Sequence, residues 1–335
     1  MEGLNAHEKP PEAIRQLYKK YQKLSLLEID AHPDIIDLRR VDANGPLTGG
    51  LLAKGRVSAD TLRGACEDFM SDHGCKFSSR DLPLADVPIF EHPAVSGQIP
   101  MPMDKTLDGG TANLPTEGST SGRRSFFNDD PERIFTPKDP NVHKPISLQR
   151  VLDRKLRWVT LGGQYNWTDK KYPSETPPPF PRDIATLLGR LFPDTDAQAA
   201  IVNLYSPGDT LSVHRDVSEE CDIGLISVSF GCDGLFMIGH DNSDSSEVIR
   251  LRSGDAVYMT GQSRFAWHGV PKIIPETCPL WLRDWPSLET DGVEGMAHWK
   301  GWMAGKRVNL NVRQMTHDEL PAAKKGESRT DITTQ

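Results

Sequence analysis

No stretch of this 335-residue chain approaches the ~20 consecutive apolar residues that a membrane-crossing helix requires, so no membrane partner is expected. Cysteine is scarce. Cys66, Cys75, Cys221, Cys232 and Cys278 contain no CxxC pair and are odd in number, which speaks for reduced thiols rather than a disulfide framework. The first ten residues hold neither the apolar core of a secretory signal nor an Arg-rich, acid-poor presequence, and the C-terminus shows no lipidation or retention signal. Cytoplasm and/or nucleus is the expected compartment, with the mitochondrion left open. Positive charge is in deficit as well: 39 Lys and Arg against 47 Asp and Glu leave a formal net charge of −8. A strongly basic domain would have pointed to nucleic acid; here any such contact must come from a local patch. Arg150, Arg154, Lys155 and Arg157 form one cluster, Lys170 and Lys171 a second, Arg123 and Arg124 a third. Each is equally readable as a solvated face.

The chain divides by composition. Residues 1–146 read as an N-terminal extension. Within it, 12–27 has helical apolar spacing (Ile14, Leu17, Tyr18, Tyr21, Leu24), 59–70 reads as a short helix, and 87–90 as an early strand. Residues 96–131 are rich in Gly, Pro, Ser, Thr and Asp, so they read as a long loop or disordered insertion unable to build a core. A second unit spans 147–316. It opens with a helix or helix–strand junction at 147–157 and a strand pair at 158–166 around Gly162-Gly163, then an amphipathic helix at 181–192 with Ile184, Leu187, Leu188 and Leu191 inward. Eight short strands follow: 200–205, 211–214, 224–230, 234–238, 247–251, 256–259, 265–270 and 307–313. The expected class is α+β with a mainly β core, a double-stranded β-helix or jelly roll that manages its edges by packing two sheets together. Before the last strand lies an insertion at 271–306, too long for a hairpin loop, whose tryptophans are expected to pack it down. The tail at 317–335 reads as disordered.

Two stretches carry chemistry. Ser206-Pro207-Gly208-Asp209 is a turn signal, and the run after it ends in His214-x-Asp216. On an extended chain, residues two apart project from one face, so both can grip one ion, with His268 as a third ligand. Two histidines and one carboxylate are the facial set of non-haem Fe(II) oxygenases. The second stretch is Arg307-Val-Asn309-Leu-Asn311-Val-Arg313, a strand with an oily face and a face of arginines and amides. Arginine's planar fork suits bidentate carboxylate recognition. Asn203 and Tyr205, two residues apart on another strand, could complete a dicarboxylate pocket beside the metal.

Asn203-x-Tyr205, His214-x-Asp216, Ser263-Arg264 with His268, and Arg307-x-Asn309-x-Asn311-x-Arg313 resemble the AlkB-type 2-oxoglutarate dioxygenases. Lys155-Leu-Arg-Trp-Val-Thr-Leu-Gly-Gly-Gln-Tyr-Asn-Trp167, Ser218-Glu219-Glu220 and Arg313-Gln314 look like its eukaryotic AlkB homolog one branch. The resemblance covers about half the chain, residues 148–315. Asn311 departs from it, standing where the family usually carries threonine, a position not expected to touch the cosubstrate. What the resemblance implies is an Fe(II) enzyme using 2-oxoglutarate and O2, with Arg313 and Asn203 at the inner carboxylate and Arg307, Tyr205 and Asn309 at the distal one. It further implies a lid at 155–172, making Trp158 and Tyr165 candidates for stacking on a base, although Trp158 could equally fill the core. The implied reaction removes a methyl group from nitrogen as formaldehyde, on methylated nucleic acid, tRNA before DNA. A protein substrate such as a basic histone tail is the alternative, and a non-catalytic module binding nucleic acid or a partner is a third. A zinc hydrolase could share the metal ligands but has no need of the arginine strand. Nothing in the pattern specifies an oligomeric state.

Overall fold

The computed structural model describes residues 4–40, 52–72, 84–91, 97–100, 126–166, 168–172, 177–240, 246–286 and 294–317. Two sheets face each other, and each takes four of the eight expected core strands. The larger sheet runs Leu52–Val57, Val87–Glu91, Gly97–Pro100, Ala256–Met259, Leu225–Gly231, Arg307–Arg313, Ala199–Tyr205, Trp158–Gly162. The smaller runs Ile35–Asp37, Ser246–Leu251, Gly234–Gly239, Trp267–Ile273, Leu211–His214. Pairing among the eight core strands is antiparallel, which is the double-sheet jelly roll.

Alternation along the strands decides the layers. Leu225, Val257 and Met259 of the larger sheet meet Phe236, Ile238, Ile249, Leu251, Val270 and Ile273 of the smaller in one buried cluster. The opposite face of the larger sheet presents Ala200, Ile226, Tyr258 and Val312, covered by Ile184, Leu188 and Leu191 of the helix Arg182–Leu191. The outer face of the smaller sheet presents Leu235, Met237, Val248 and Trp267, covered by Ile14 and Tyr21 of the helix Glu12–Lys23. The order is helix, sheet, sheet, helix, with each apolar face covered once.

The N-terminal extension is built into both sheets. Ile35–Asp37 pairs in parallel with Ser246–Leu251. Leu52–Val57, Val87–Glu91 and Gly97–Pro100 prolong the larger sheet beyond Ala256–Met259. The polar 96–131 stretch is therefore not a loop throughout: it begins as a strand and ends in the 3-10 turn Phe126–Asn128. Its centre, with Arg123 and Arg124, lies outside the described residues, as do Cys75 and the tail from 318. Cys66, Cys221, Cys232 and Cys278 are free thiols.

Two local expectations need correction. Helical spacing continues to Leu27, yet the chain breaks at Leu24 and a second helix, Leu26–Ala31, starts on Ser25. Ser25 and Glu28 form a reciprocal capping box there, which satisfies N–H groups that the break leaves free. Residues 158–166 do not form a hairpin. Trp158–Gly162 pairs with Ala199–Tyr205 instead, and Gly162 takes φ +64° where a Cβ would meet the Gln198 carbonyl oxygen at 2.2 Å. The chain then leaves the sheet, and Asn166 pairs with Lys171.

A second polar network lies under the strand ends. Asp233 accepts from Arg250 (2.9 Å) and Arg252 (2.7 Å), and Arg252 also holds Asp37 (2.5 Å). Asp255 is buried beside it, with one carboxylate oxygen on the Arg252 backbone N–H (2.7 Å) and the other without a partner. Burial pushes its carboxyl up to about 7. The raised folded value means the folded protein keeps a proton that the unfolded chain has lost, so this residue lowers stability as pH rises from about 4 to 7. Asp255→Asn can retain the backbone bond without the charge. It should raise the melting temperature at pH 8 more than at pH 5; an equal or lower melting temperature at pH 8 would contradict the assignment.

Candidate metal and carboxylate site

The turn that delivers the first stretch forms as its residues require. Pro207 and Gly208 occupy the centre, Gly208 takes φ +94°, and the Asp209 N–H donates to the Ser206 carbonyl at 2.9 Å. Positive φ at the third position is what glycine supplies. The Asp209 carboxylate accepts from the Ser206 N–H (2.7 Å), which fastens the turn. Leu211–His214 then pairs with Trp267–Ile273 so that His214 and His268 stand directly opposite each other, their rings 4.4 Å apart.

Asp216 closes the set. Its two oxygens lie 3.8 Å from His214 Nε2 and 3.6 Å from His268 Nε2. One ligand atom from each of the three residues falls within 4.8 Å of the others, and among the described residues no other His/Cys/Asp/Glu group does so. His240 and His298 stand apart from it. Both imidazoles turn Nδ1 to a backbone carbonyl, His214 to Ser212 (2.8 Å) and His268 to Ala266 (3.1 Å). An Nδ1–H held in this way leaves Nε2 as the free ligand nitrogen. Burial, with the neighbouring His268, pulls the His214 imidazolium down to about 4, which keeps the ring neutral and able to ligate.

The carboxylate is held by Arg313, which the resemblance placed at the inner carboxylate of the cosubstrate, and by Asn311, which was given no role. Arg313 Nη2 donates to Asp216 Oδ2 (2.8 Å), Asn311 Nδ2 reaches the same oxygen (3.4 Å), and Arg313 Nη1 donates to Tyr172 OH (3.1 Å). Behind Arg313, Glu219 lies 3.5 Å from its Nε and accepts from Arg264 Nη2 (2.9 Å). Arg264 also donates to the backbone carbonyls of Asp216 and Ile223, each at 2.8 Å, so one guanidinium fixes the irregular chain after His214. Arg264, Glu219, Arg313 and Asp216 form an alternating line of buried charges. Burial alone would raise the Asp216 carboxyl, but Arg313 and the two imidazoles outweigh it and hold it well below the usual carboxylate range. Ser263-Arg264 and Ser218-Glu219-Glu220 were visible as motifs; their contact across 45 residues was not.

The strand register orders the rest. Arg313 stands opposite Ala199, Asn311 opposite Ile201, Asn309 opposite Asn203, and Arg307 opposite Tyr205. Paired residues project to one face, so these side chains line the inner surface in sequence away from the metal-ligand set. Asn203 is thus a neighbour of Asn309 rather than of Arg313. Asn309 Nδ2 donates to Ser227 Oγ (2.8 Å) and the Val228 carbonyl (3.1 Å). Arg307, 1% exposed, donates through Nη2 to Ser229 Oγ (2.9 Å), while its Nε and Nη1 and the Tyr205 hydroxyl are buried without partners. No carboxylate pairs with it among the described residues. Gly234 makes room for this side chain, since a Cβ there would meet Arg307 Nε at 2.8 Å.

These features test the fit of iron and a dicarboxylate. A buried guanidinium with two idle N–H donors beside an idle phenol is costly, and one carboxylate would satisfy them together. Two neutral imidazoles and an ionised carboxylate with free Nε2 and oxygen atoms suit a divalent iron. The residues fit both groups.

Trp158 stands at the rim. It pairs with Asn203, so it shares the inner face with Asn203 and Asn309, and it is 41% exposed. That exposure rules out the core-filling role. Tyr165 stands 3.3 Å from Ser218 Oγ and meets the Tyr172 ring edge-on at 5.2 Å; Tyr172 in turn touches Arg313. Residues 5–8 lie against the same region, with Lys170 Nζ donating to the Ala6 carbonyl (2.9 Å) and Arg215 to Glu8 (3.0 Å). Trp285, Trp299 and Trp302 pack around Phe127, as expected of an insertion folded down on the barrel, whereas Trp281 is exposed.

A jelly roll with two histidines and a carboxylate at one end of an arginine-lined interior defines a non-haem iron oxygenase. More narrowly, the chain belongs to the 2OG-Fe(II) oxygenase superfamily, whose family model matches residues 124–313. Such an enzyme uses Fe(II), 2-oxoglutarate and O2. The chain is 42% identical, over 93% of its own length and 98% of the relative's, to an N6-methyladenosine RNA demethylase, ALKB1, of Pyricularia oryzae. It is 54% identical, over 60% of itself and 95% of the relative, to an N6-methyladenosine RNA demethylase of Cryphonectria parasitica. A tRNA demethylase of Schizosaccharomyces pombe, abh1, is 44% identical over 65% of this chain and 71% of its own.

Proposed function

We propose that this protein removes N-methyl groups from bases of nucleic acid, RNA before DNA and tRNA first among RNAs, as an AlkB-type oxygenase. The observation that carries this reading is Trp158. An exposed indole on the same sheet face as the carboxylate pocket gives a flat ring for a base turned out of its stack, and relatives covering most of the chain are named for RNA. His214, Asp216 and His268 would hold the iron, which when bound supplies O2 activation coupled to conversion of 2-oxoglutarate to succinate and CO2. Arg307 and Tyr205 would fix the distal carboxylate, with Asn309 and Asn203 along the chain of the cosubstrate and Arg313 near its inner end. Arg313 and Asn311 keep the Asp216 oxygens oriented, and Arg264 holds the loop that carries them. Trp158 and Tyr165 would position the base so that its N-methyl carbon meets the oxidant. The hydroxymethyl product then loses formaldehyde.

The test is formaldehyde and succinate release by anaerobically reconstituted Fe(II) protein given O2 with total tRNA, N6-methyladenosine RNA, methylated single-stranded DNA or histone. Formaldehyde from RNA is the expected result. Formaldehyde from histone alone would move the substrate to protein, and neither product from any arm would overturn the enzymatic reading. Trp158→Ala should raise KM for the nucleic acid about five- to hundredfold, the ~1–3 kcal/mol of one stacked base. An unchanged KM would place the base elsewhere.

A further inference from the structure

At the far end of the arginine strand from the metal ligands, the structure has a cavity of about 540 Å³ that none of the chemistry above uses. Gln149, Asp153 and Arg154 from the helical segment 148–155 before Trp158, Ser206 and Pro207 from the turn after Tyr205, and 298–302 with Gly305 and Lys306 from the insertion line it. Among the lining residues, three cations, Arg154, Lys300 and Lys306, outnumber one carboxylate, Asp153, with His298 also in the lining. This is a cationic hollow on a protein of net charge −8.

Lys306 decides what the hollow is for. It is 6% exposed, and its Nζ donates to two neutral oxygens, the Asp153 carbonyl and Ser206 Oγ, each at 2.8 Å. An ammonium has three protons, and among the described residues no carboxylate pairs with this one. Burial lowers its affinity for the proton. The Asp153 and Asp209 carboxylates favour its charge without reaching ion-pair distance, and the Trp302 ring lies 5.4 Å from Nζ; a buried cation with no anion in direct contact is costly unless one completes the site. The Trp302 indole Nε1, on another lining residue, is likewise buried without a hydrogen-bond partner. Arg154 is exposed and makes no ion pair among the described residues, while Lys300 has only a surface contact of 3.6 Å with Asp284.

We propose that this cavity is a phosphate-binding site that takes a backbone phosphate of the same nucleic-acid strand whose base occupies the iron site. The inference rests on the nucleic-acid reading above and extends it. A phosphate offers the strong anionic acceptors that Lys306, Arg154 and Lys300 need, and phosphate contacts fix register without reading sequence. Placement agrees: the cavity borders Lys306, three residues along the strand from Asn309, beside which Trp158 stands, or about 10 Å. A single strand freed from the stack reaches beyond the ~3.4 Å per nucleotide of a duplex strand, so a few nucleotides bridge the cavity and the base. Between cavity and pocket lie Arg157 and then Trp158, the beginning of the edge strand, so a strand can be followed along this edge.

The experiment compares wild type with Arg154→Glu/Lys300→Glu, both exposed side chains whose replacement leaves the buried Lys306 in place. Affinity for a fluorescent 20-nucleotide RNA is read by anisotropy at several salt concentrations, and KM is measured for a methylated 20-mer and a methylated nucleoside, which carries no phosphate. The expected result is at least a tenfold weaker Kd and higher KM for the 20-mer. The slope of log K against log salt should fall by about 1 to 1.5, as for two lost phosphate contacts on a single strand. With the nucleoside, wild type and variant should not differ. Equal Kd and slope for the 20-mer would overturn the site, as would an equal loss on the nucleoside. Inorganic pyrophosphate binding to wild type as tightly as the 20-mer would overturn the backbone assignment. Absence of formaldehyde from any nucleic acid with wild type would instead sink the demethylase reading, so the two failures are distinguishable.

Discussion

His268→Ala should abolish iron-dependent succinate release, a loss larger than the roughly 10–100-fold expected of a residue that only supports a metal ligand. The reason is positional. His268 is buried opposite His214, with Nδ1 committed to the Ala266 carbonyl and Nε2 facing Asp216. No described His, Cys, Asp or Glu outside the set lies near enough to replace it. Asp216→Ala should lose activity to the same extent and stability as well. Breaking a buried ion pair from one side costs about 3–5 kcal/mol, here lessened because Glu219 still faces Arg313. The checks are iron content after anaerobic loading, circular dichroism, and succinate release. A His268→Ala protein that folds, loads iron and turns over within tenfold of wild type would remove this residue from the metal set.

Arg307→Lys is expected to give the second largest effect, a rise of about tenfold or more in the 2-oxoglutarate concentration needed for half-maximal rate. Lysine keeps the charge but loses the planar fork, so it cannot present two parallel N–H groups to one carboxylate. Arg307→Ala should cost more, because it also leaves the Ser229 hydroxyl without its 2.9 Å donor. The effect should fall on the cosubstrate requirement and leave KM for nucleic acid near its wild-type value. An unchanged 2-oxoglutarate requirement in Arg307→Lys would move the distal carboxylate to another cation; Lys306, next along the strand, faces the other cavity and would be the next to change.

Much of this site is legible in the sequence, and the reasons are local. His214 and Asp216 are two residues apart on an extended run, so the chain itself aims them together. The arginine strand displays its chemistry because every second residue is polar and none is a simple solubilising lysine or glutamate. Pro207-Gly208 and the alternation around it place the turn and both flanking strands. The 3.6-residue spacing of Ile184, Leu188 and Leu191 finds the helix over the larger sheet.

The missed features all depend on contacts between distant segments. Asn311 looked peripheral, yet the register of Arg307–Arg313 brings its amide to Asp216. Trp158 could not be assigned to core or rim until Trp158–Gly162 proved to be an edge strand beside Asn203. The expected hairpin at 158–166 failed because Gly162 lies against the Gln198 carbonyl, a neighbour no local pattern announces. The N-terminal residues read as an appendage, but Ile35–Asp37 pairs with a strand more than 200 residues downstream, and Gly97–Pro100 joins the local strand Val87–Glu91 to Ala256–Met259.

The sequence by itself determined the class of chemistry: which side chains can ligate iron, which can hold a dicarboxylate, and that two sheets must bury the alternating strands. It could do so because residue type and a period of two or 3.6 are properties of a short segment. Only the tertiary structure decided how those side chains are held: Arg264 on the loop after His214, Glu219 behind Arg313, the idle donors of Arg307 and Tyr205, and the buried Lys306 at a cavity shared by three segments. Each of these depends on which strands become neighbours and in what register. That is settled by burying the whole set of apolar faces at once, and no single stretch of the chain contains it.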